Sequence, residues 1–304
     1  MDDKEKGILL GMIRRAAAFS GVEVYTYAMM DNHFHLLVRV PAKSDVAEEE
    51  LRRRVAALYG KERAVQVFAE WAKRERKGKS AAVEAEKERL KKRMHDLSQF
   101  CKTFKEAYTQ DYNRRHDNTG TIWEGRFKSL LLEGSARALL AVAGYIHLNP
   151  VRAGMAKEPE ASPHSGYGAA CGGDAAARAG LEGLVARAKG KLSGDKGTWR
   201  EARETCQSTL EGKAGVFEAY AGRSPERTDG GGRRGEKAEE TNALYGLLRS
   251  RRPGFLHGGA LGGEGFVREV ATKLPPRVRR KPEGASGGFS CLGLESAAGV
   301  REAS

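Results

Sequence analysis

The sequence predicts an α+β fold. Two strand-like segments follow each other at 22–30 and 33–40, an amphipathic helix precedes them at 2–18, and apolar residues recur at helical steps from Leu90 to Tyr112. The same pattern implies an antiparallel sheet, a charged helical insertion and a less ordered C-terminal extension.

The first helix covers residues 2–18. Asp2 or Asp3 can cap it, Leu9, Met12, Ile13 and Ala16 share one face, and Gly21 breaks it. The segment VEVYTYAMM (22–30) is rich in β-branched and aromatic residues and predicts a strand. Asp31-Asn32 supplies a turn or bulge, and HFHLLVRV (33–40) predicts a second strand that ends at Pro41.

From about Asp45 to Arg93 the chain is densely charged, which predicts a helical insertion with a solvated surface. Asp45 and Glu48 are spaced as a capping pair, and Gly60 and KGKS (77–80) interrupt the helices. A coiled coil is the weaker reading, because the apolar seam is not sustained. Leu90, Met94, Leu97, Cys101, Phe104, Tyr108 and Tyr112 then predict a long helix that ends in NRRHDNTG. The segment TIWEGRFKSLLLE (121–133) predicts a partly buried strand. Ser135 is placed to cap a helix through Leu139, Val142, Ala143 and Ile146, stopped around Asn149-Pro150.

These elements place a first domain at 1–157. A weakly defined helical extension is expected at 158–222, a linker at 223–240, a small basic segment at 241–282 and a disordered tail at 283–304.

The 304 residues carry a formal charge of +13, which points to a polyanionic partner. Nucleic acid is the commonest; an acidic membrane surface and plain solubility are the alternatives. The four cysteines (Cys101, Cys171, Cys206, Cys291) have no metal-ligand spacing and suit free thiols in a reducing compartment. No apolar run reaches the length of a membrane span and the start is no signal peptide, so a cytoplasmic protein with no membrane partner is expected.

Chemistry concentrates at two places. His33 and His35 are two apart, so on a strand both imidazoles share a face with Cα atoms roughly 6.5–7 Å apart. That spacing suits convergence on one divalent ion, while Phe34, Leu36 and Val38 point the other way into a core. Two polar residues on a wet strand face is the plainer alternative. Tyr145 and Asn149 form an i, i+4 pair on one helix face; alternatively, Tyr145 is a core aromatic and Asn149 a helix terminator.

One mechanism joins the two places. A tyrosine attacks a phosphodiester when the phosphate is polarised, and Mg²⁺ or Mn²⁺ supplies that polarisation. Tyr108 and Tyr112 compete with Tyr145 for the nucleophile's role. For DNA contact, Arg114, Arg115, Arg126 and Lys128 surround Trp123 and Phe127, a combination suited to phosphate clamping and base stacking. A solvated basic surface with Trp123 in the core is the alternative.

Three segments together carry a resemblance: YAMMDNHFHLLVRVP (27–41), YNRRHDNTGTIWEGRFKS (112–129) and YIHLNPVRAGM (145–155). In order, spacing and identity they resemble the successive signatures of REP-associated tyrosine transposases, within the single-tyrosine HUH transposase superfamily. The resemblance covers 1–157 well and the remainder in patches, such as ALGGEGFVREV (260–270). It implies a ferredoxin-like core and cleavage and joining of single-stranded DNA at palindromic hairpins. It also implies Tyr145 as nucleophile, His33 and His35 as metal ligands, and Asn149 as the third ligand.

Two departures stand out. Family members usually open on a further strand before the first helix, whereas this sequence begins at that helix. SPHSGY also stands where an aromatic WSSY-like segment is usual. Three readings follow: an active single-strand DNA transposase, a hairpin-binding protein without cleavage, and a relaxase or replication initiator. The YIHLNPVRAGM segment argues against the last. Oligomeric state stays open.

Overall fold

The computed structural model describes residues 1–125, 127–191, 197–211, 259–273, 283–284 and 289–293. Its contacts divide the chain into two units, Met1–Gly125 and Arg126–Ser304; the sequence pattern had put the boundary at 157.

In the first unit, α1 (Asp3–Ser20) starts at Asp2, whose carboxylate accepts the Glu5 N–H at 2.8 Å. That bond satisfies a donor that the helix's first turn leaves unpaired. Leu9, Met12, Ile13 and Ala16 are buried, as their spacing predicts. Gly21 ends the helix at φ 72°, a left-handed conformation that favours glycine. A Cβ there would approach the Arg54 and His95 side chains to 2.6–2.9 Å, so the site rejects a side chain twice over.

Strands β1 (Glu23–Met29) and β2 (Phe34–Arg39) pair antiparallel, with Ala28 opposite His35 and a bulge between Val24 and Thr26. The Met30 N–H bonds the His33 carbonyl at 2.9 Å and closes the turn. Phe34 packs edge-on against Phe104 and Trp123, at 5.8 and 6.1 Å between ring centres. Leu36 and Val38 are half-buried, and Leu37, on the His35 side, is the strand's one buried residue.

The insertion is three helices, α2 (Glu48–Tyr59), α3 (Lys61–Arg76) and α4 (Ser80–Lys91), broken at Gly60 and Gly78. The expected Asp45–Glu48 cap does not form. Asp45 bonds the neighbouring Val46 N–H, Glu48 turns to Arg52 and Lys87, and Ala47 occupies the cap position. Its surface is charged, but the insertion also has a core. Phe19 of α1, Val46, Leu51, Val55, Trp71, Val83, Leu90 and Met94 pack together. Lys87 buries its stem there, and Glu84, Glu48 and Glu75 hold its ammonium at 2.9–3.6 Å.

The helix expected from Leu90 to Tyr112 is two helices. The His95 N–H bonds the Ser20 carbonyl at 2.8 Å, with His95 at φ 52°. Asp96 then caps α5 (Leu97–Arg115) through the Gln99 N–H at 2.9 Å. Backbone donors that would have continued the helix find partners off it, so Leu90 and Met94 join the insertion's core.

α1 and α5 are tied by a buried carboxylate. Glu5 is 5% exposed and accepts from Tyr108 Oη at 2.8 Å and Arg115 Nη2 at 2.9 Å, with Arg115 Nη1 on its other oxygen. His116 Nε2 lies 3.0 Å from that same oxygen. Arg115 also donates through Nε to Asp111 at 2.6 Å. The Arg115 guanidinium holds the Glu5 carboxyl at about 2, against the effect of burial and with help from His116 and Tyr108.

In the second unit, the strand expected at 121–133 contracts to β3 (Leu130–Leu132). It lies parallel to β4 (Gly259–Gly263), in a sheet ordered β3-β4-β6-β5 with β5 at Glu283–Gly284 and β6 at Phe289–Gly293. These last strands fall within the stretch expected as a disordered tail. Helix α6 (Ala136–Arg152) is capped by Ser135 and runs through Pro150 instead of stopping there. Proline in the last turn removes only one ladder bond, and the Ala153 N–H still reaches the Asn149 carbonyl at 3.0 Å.

Beyond it come α7 (Gly166–Cys171), α8 (Ala175–Ala188) and α9 (Trp199–Glu211), with Leu181 and Leu184 fully buried on α8. This extension is more regular than the sequence pattern suggested. α10 (Glu264–Lys273) follows β4. The expected linker at 223–240 lies outside the described residues. The architecture is therefore mixed helix and strand, mostly helical, with a two-stranded antiparallel sheet in the first unit. Among the described residues no helix is long and apolar enough to cross a membrane.

The Glu5 tie makes a stability prediction. Glu5→Gln should destabilise the folded protein by about 2–3 kcal/mol at pH 7, because Arg115 and Tyr108 lose their charged acceptor. The folded-state value is depressed from an ordinary 4.5 to about 2, so this stabilisation is complete above pH 4.5 and fades as pH falls toward 2. Thermal midpoints of both proteins from pH 7 to pH 2 should therefore converge in acid. A variant that melts with wild type at pH 7 would contradict the tie.

Candidate functional site

In the first unit, the predicted histidines lie at the β1–β2 turn. His33 precedes β2 and is exposed; His35, the second residue of the strand, is half-buried. Both imidazoles reach the same side, as alternation predicts, and their Nε2 atoms stand 3.2 Å apart with the rings at 88°. Asn32 Oδ1 accepts from His33 Nδ1 at 2.7 Å. A carboxamide oxygen only accepts, so this contact puts the proton on Nδ1 and turns the Nε2 lone pair toward His35. Ala28 lies opposite His35 in the ladder and is fully buried, a small neighbour that leaves the ring room.

This geometry fits a shared cation. Two nitrogens bound at about 2.0–2.1 Å to one ion stand about 3 Å apart, close to the separation between these two. A neutral pair can also hydrogen-bond directly, Nε2–H to Nε2, so the arrangement suits both loaded and empty states. Fixing a histidine's tautomer through its other nitrogen is the usual support for a metal ligand. Among the described residues no group of three or more His, Cys, Asp or Glu side chains gathers around an ion position.

In the second unit, Tyr145 and Asn149 lie on α6. Tyr145 is half-buried and packs against a cluster of Ala138, Ala141 and Leu261. Asn149, 7% exposed, donates from Nδ2 to the Tyr145 carbonyl at 2.9 Å. The i, i+4 spacing thus brings the two residues together through the Tyr145 backbone. The Arg152 guanidinium lies 5.8 Å from the Tyr145 ring centre.

The competing tyrosines are differently placed. Tyr108 is 2% exposed; burial, reinforced by the Glu5 carboxylate that takes its hydrogen bond, raises its phenol well above the ordinary range. A proton held that firmly makes a poor nucleophile. Tyr112 stacks on His116 at 4.2 Å.

The expected DNA-contact residues divide. Arg115 is committed to Glu5 and Asp111, and Arg114 pairs with Asp111 at 2.6 Å while staying exposed. Trp123 is half-buried and donates from its indole nitrogen to Thr109 Oγ1 at 2.8 Å, with the Lys105 ammonium over its ring at 4.8 Å. It is a packing residue between Phe34 and Tyr108. Lys128 is exposed, and Arg126 lies outside the described residues.

Two further features lie outside the predicted site residues. His147, inside the YIHLNP segment, is 1% exposed and stacks on Tyr167 at 5.2 Å; burial pushes its pKa down to about 3 and keeps it neutral. Its position on the α6 face opposite Tyr145 was the available signal. At the α3–α4 turn, Arg76, Lys77 and Lys79 are exposed, within a helical module whose other arginines and lysines are largely paired with carboxylates. The charge run RKGK already marked that turn.

Comparison with family models, with curated proteins and with solved structures returns no match.

The histidine geometry predicts metal binding. Replacing His33 or His35 by Ala should weaken Mn²⁺ binding, followed by electron paramagnetic resonance, by about tenfold or more. Asn32→Ala should weaken it less, by freeing the His33 tautomer. Unchanged Mn²⁺ affinity in the double His33→Ala, His35→Ala variant would remove the metal role.

Proposed function

We propose that this protein cleaves and rejoins single-stranded DNA at hairpin elements through a tyrosine-linked intermediate. The observation that carries the reading is the 3.2 Å convergence of His33 and His35 Nε2, with Asn32 fixing the His33 tautomer. Tyr145 and Asn149 on one face of α6, the charge of +13, and the joint resemblance of three segments to REP-associated tyrosine transposases support it.

A ferredoxin-like core is part of the proposal. The helix–strand–strand–helix order of α1, β1, β2 and α5 matches the inner portion of the β-α-β-β-α-β order of that fold.

In this reading Tyr145 Oη attacks a DNA phosphorus. An O–P bond forms, the bond from phosphorus to the 3′ oxygen breaks, the phenol gives up its proton and the departing oxygen takes one from solvent. The products are a 5′-phosphotyrosine and a free 3′-OH. No redox change occurs, and the retained phosphoester lets the 3′-OH reverse the step without ATP. Mg²⁺ or Mn²⁺, held by His33 and His35, would supply Lewis acidity to the phosphate oxygens. The exposed cations Arg114, Lys128, Arg76, Lys77 and Lys79 offer phosphate contacts whose strength falls with salt.

A hairpin-binding protein without cleavage is the second reading, favoured by the packing of Tyr145 against the Leu261 cluster. Incubation with a labelled hairpin oligonucleotide and Mn²⁺, followed by a denaturing gel, separates the two. Cleavage predicts a covalent adduct in wild type that disappears in Tyr145→Phe. A gel shift with no adduct supports the binding reading, and an adduct that survives Tyr145→Phe removes Tyr145 as nucleophile.

A further inference from the structure

We propose that Arg152 is a phosphate-binding residue beside Tyr145, holding the scissile phosphodiester for attack. The inference rests on the reading of Tyr145 as nucleophile. Tyr145, Asn149 and Arg152 stand at i, i+4 and i+7 of α6. At about 100° per residue they fall within about 60° of one another around the helix. The contacts bear this out: Asn149 turns back onto the Tyr145 carbonyl, and the Arg152 guanidinium sits 5.8 Å from the Tyr145 ring centre. Arg152 is exposed in the last turn, within reach of a polyanion, while Tyr145 is half-buried beside it.

The residue type matters. A guanidinium presents a planar fork of donors that grips two phosphate oxygens at once, which an ammonium does not. Held over the Tyr145 ring, it would offset the charge that gathers on the phosphate oxygens as the O–P bond forms and the bond to the 3′ oxygen breaks. The ordinary alternative is a cation that complements the negative end of the α6 dipole. That role asks only for positive charge, and lysine would serve it equally.

Lysine therefore separates the two. The full chain is tested with a labelled hairpin oligonucleotide and Mn²⁺ by single-turnover adduct formation, gel-shift affinity and thermal melting. Arg152→Ala should slow adduct formation by about a hundredfold or more. Arg152→Lys should slow it by at least about tenfold with an unchanged melting midpoint. The loss should persist at saturating oligonucleotide, which marks the chemical step rather than binding alone. Arg152→Lys reacting at the wild-type rate overturns this inference and leaves the tyrosine reading intact. Wild type that shifts the hairpin but forms no adduct overturns both.

Discussion

Glu5 is buried, charged and held by Tyr108, Arg115 and His116, three residues of one helical stretch more than a hundred positions away in sequence. A carboxylate taken out of water is costly unless donors surround it, so the contact fixes α1 against α5 in one register. On α5, Phe104 and Tyr108 meet Phe34 and Trp123. Phe34 begins the strand whose next residue is His35. The carboxylate thus sets the frame on which the histidine turn is mounted, and it engages both Arg115 and Tyr108 within the fold.

The insertion obeys the same logic at its base. Phe19 of α1 enters its core, and Gly21, His95 and Arg54 meet where the chain leaves α1 and returns from α4. Burial lowers the pKa of His95, as does the adjacent Arg54 guanidinium, so the ring sits there neutral. At the α3–α4 turn, Arg76, Lys77 and Lys79 face solvent.

Much of the local structure was legible in the sequence, because spacing governs it. Alternation placed His33 and His35 on one side, and helical periodicity placed Tyr145 over Asn149. What spacing does not contain is long-range demand on a side chain. Arg115 and Trp123 read as DNA contacts, and the fold also engages them internally, through Glu5 and Phe34. Asp45 reads as a helix cap but bonds its own neighbour. The helix at Leu90–Tyr112 breaks because Ser20 and Asp96 offer its backbone better partners. Pro150 reads as a stop, yet it costs so little in the last turn that α6 continues to Arg152 and carries a third functional candidate onto the Tyr145 face.

Each unit carries its own candidate group: a pair of imidazoles at the β1–β2 turn of the first, and a phenol with amide and guanidinium neighbours on α6 of the second. The proposed chemistry requires that the phenol of Tyr145 becomes covalently linked to a DNA 5′ phosphate. Peptide mapping by mass spectrometry of the protein after reaction with a short hairpin oligonucleotide addresses it directly. A nucleotide mass is expected on the tryptic peptide that contains Tyr145, joined through a 5′ phosphate. A nucleotide on the Tyr112 peptide, or a 3′ linkage, would contradict it.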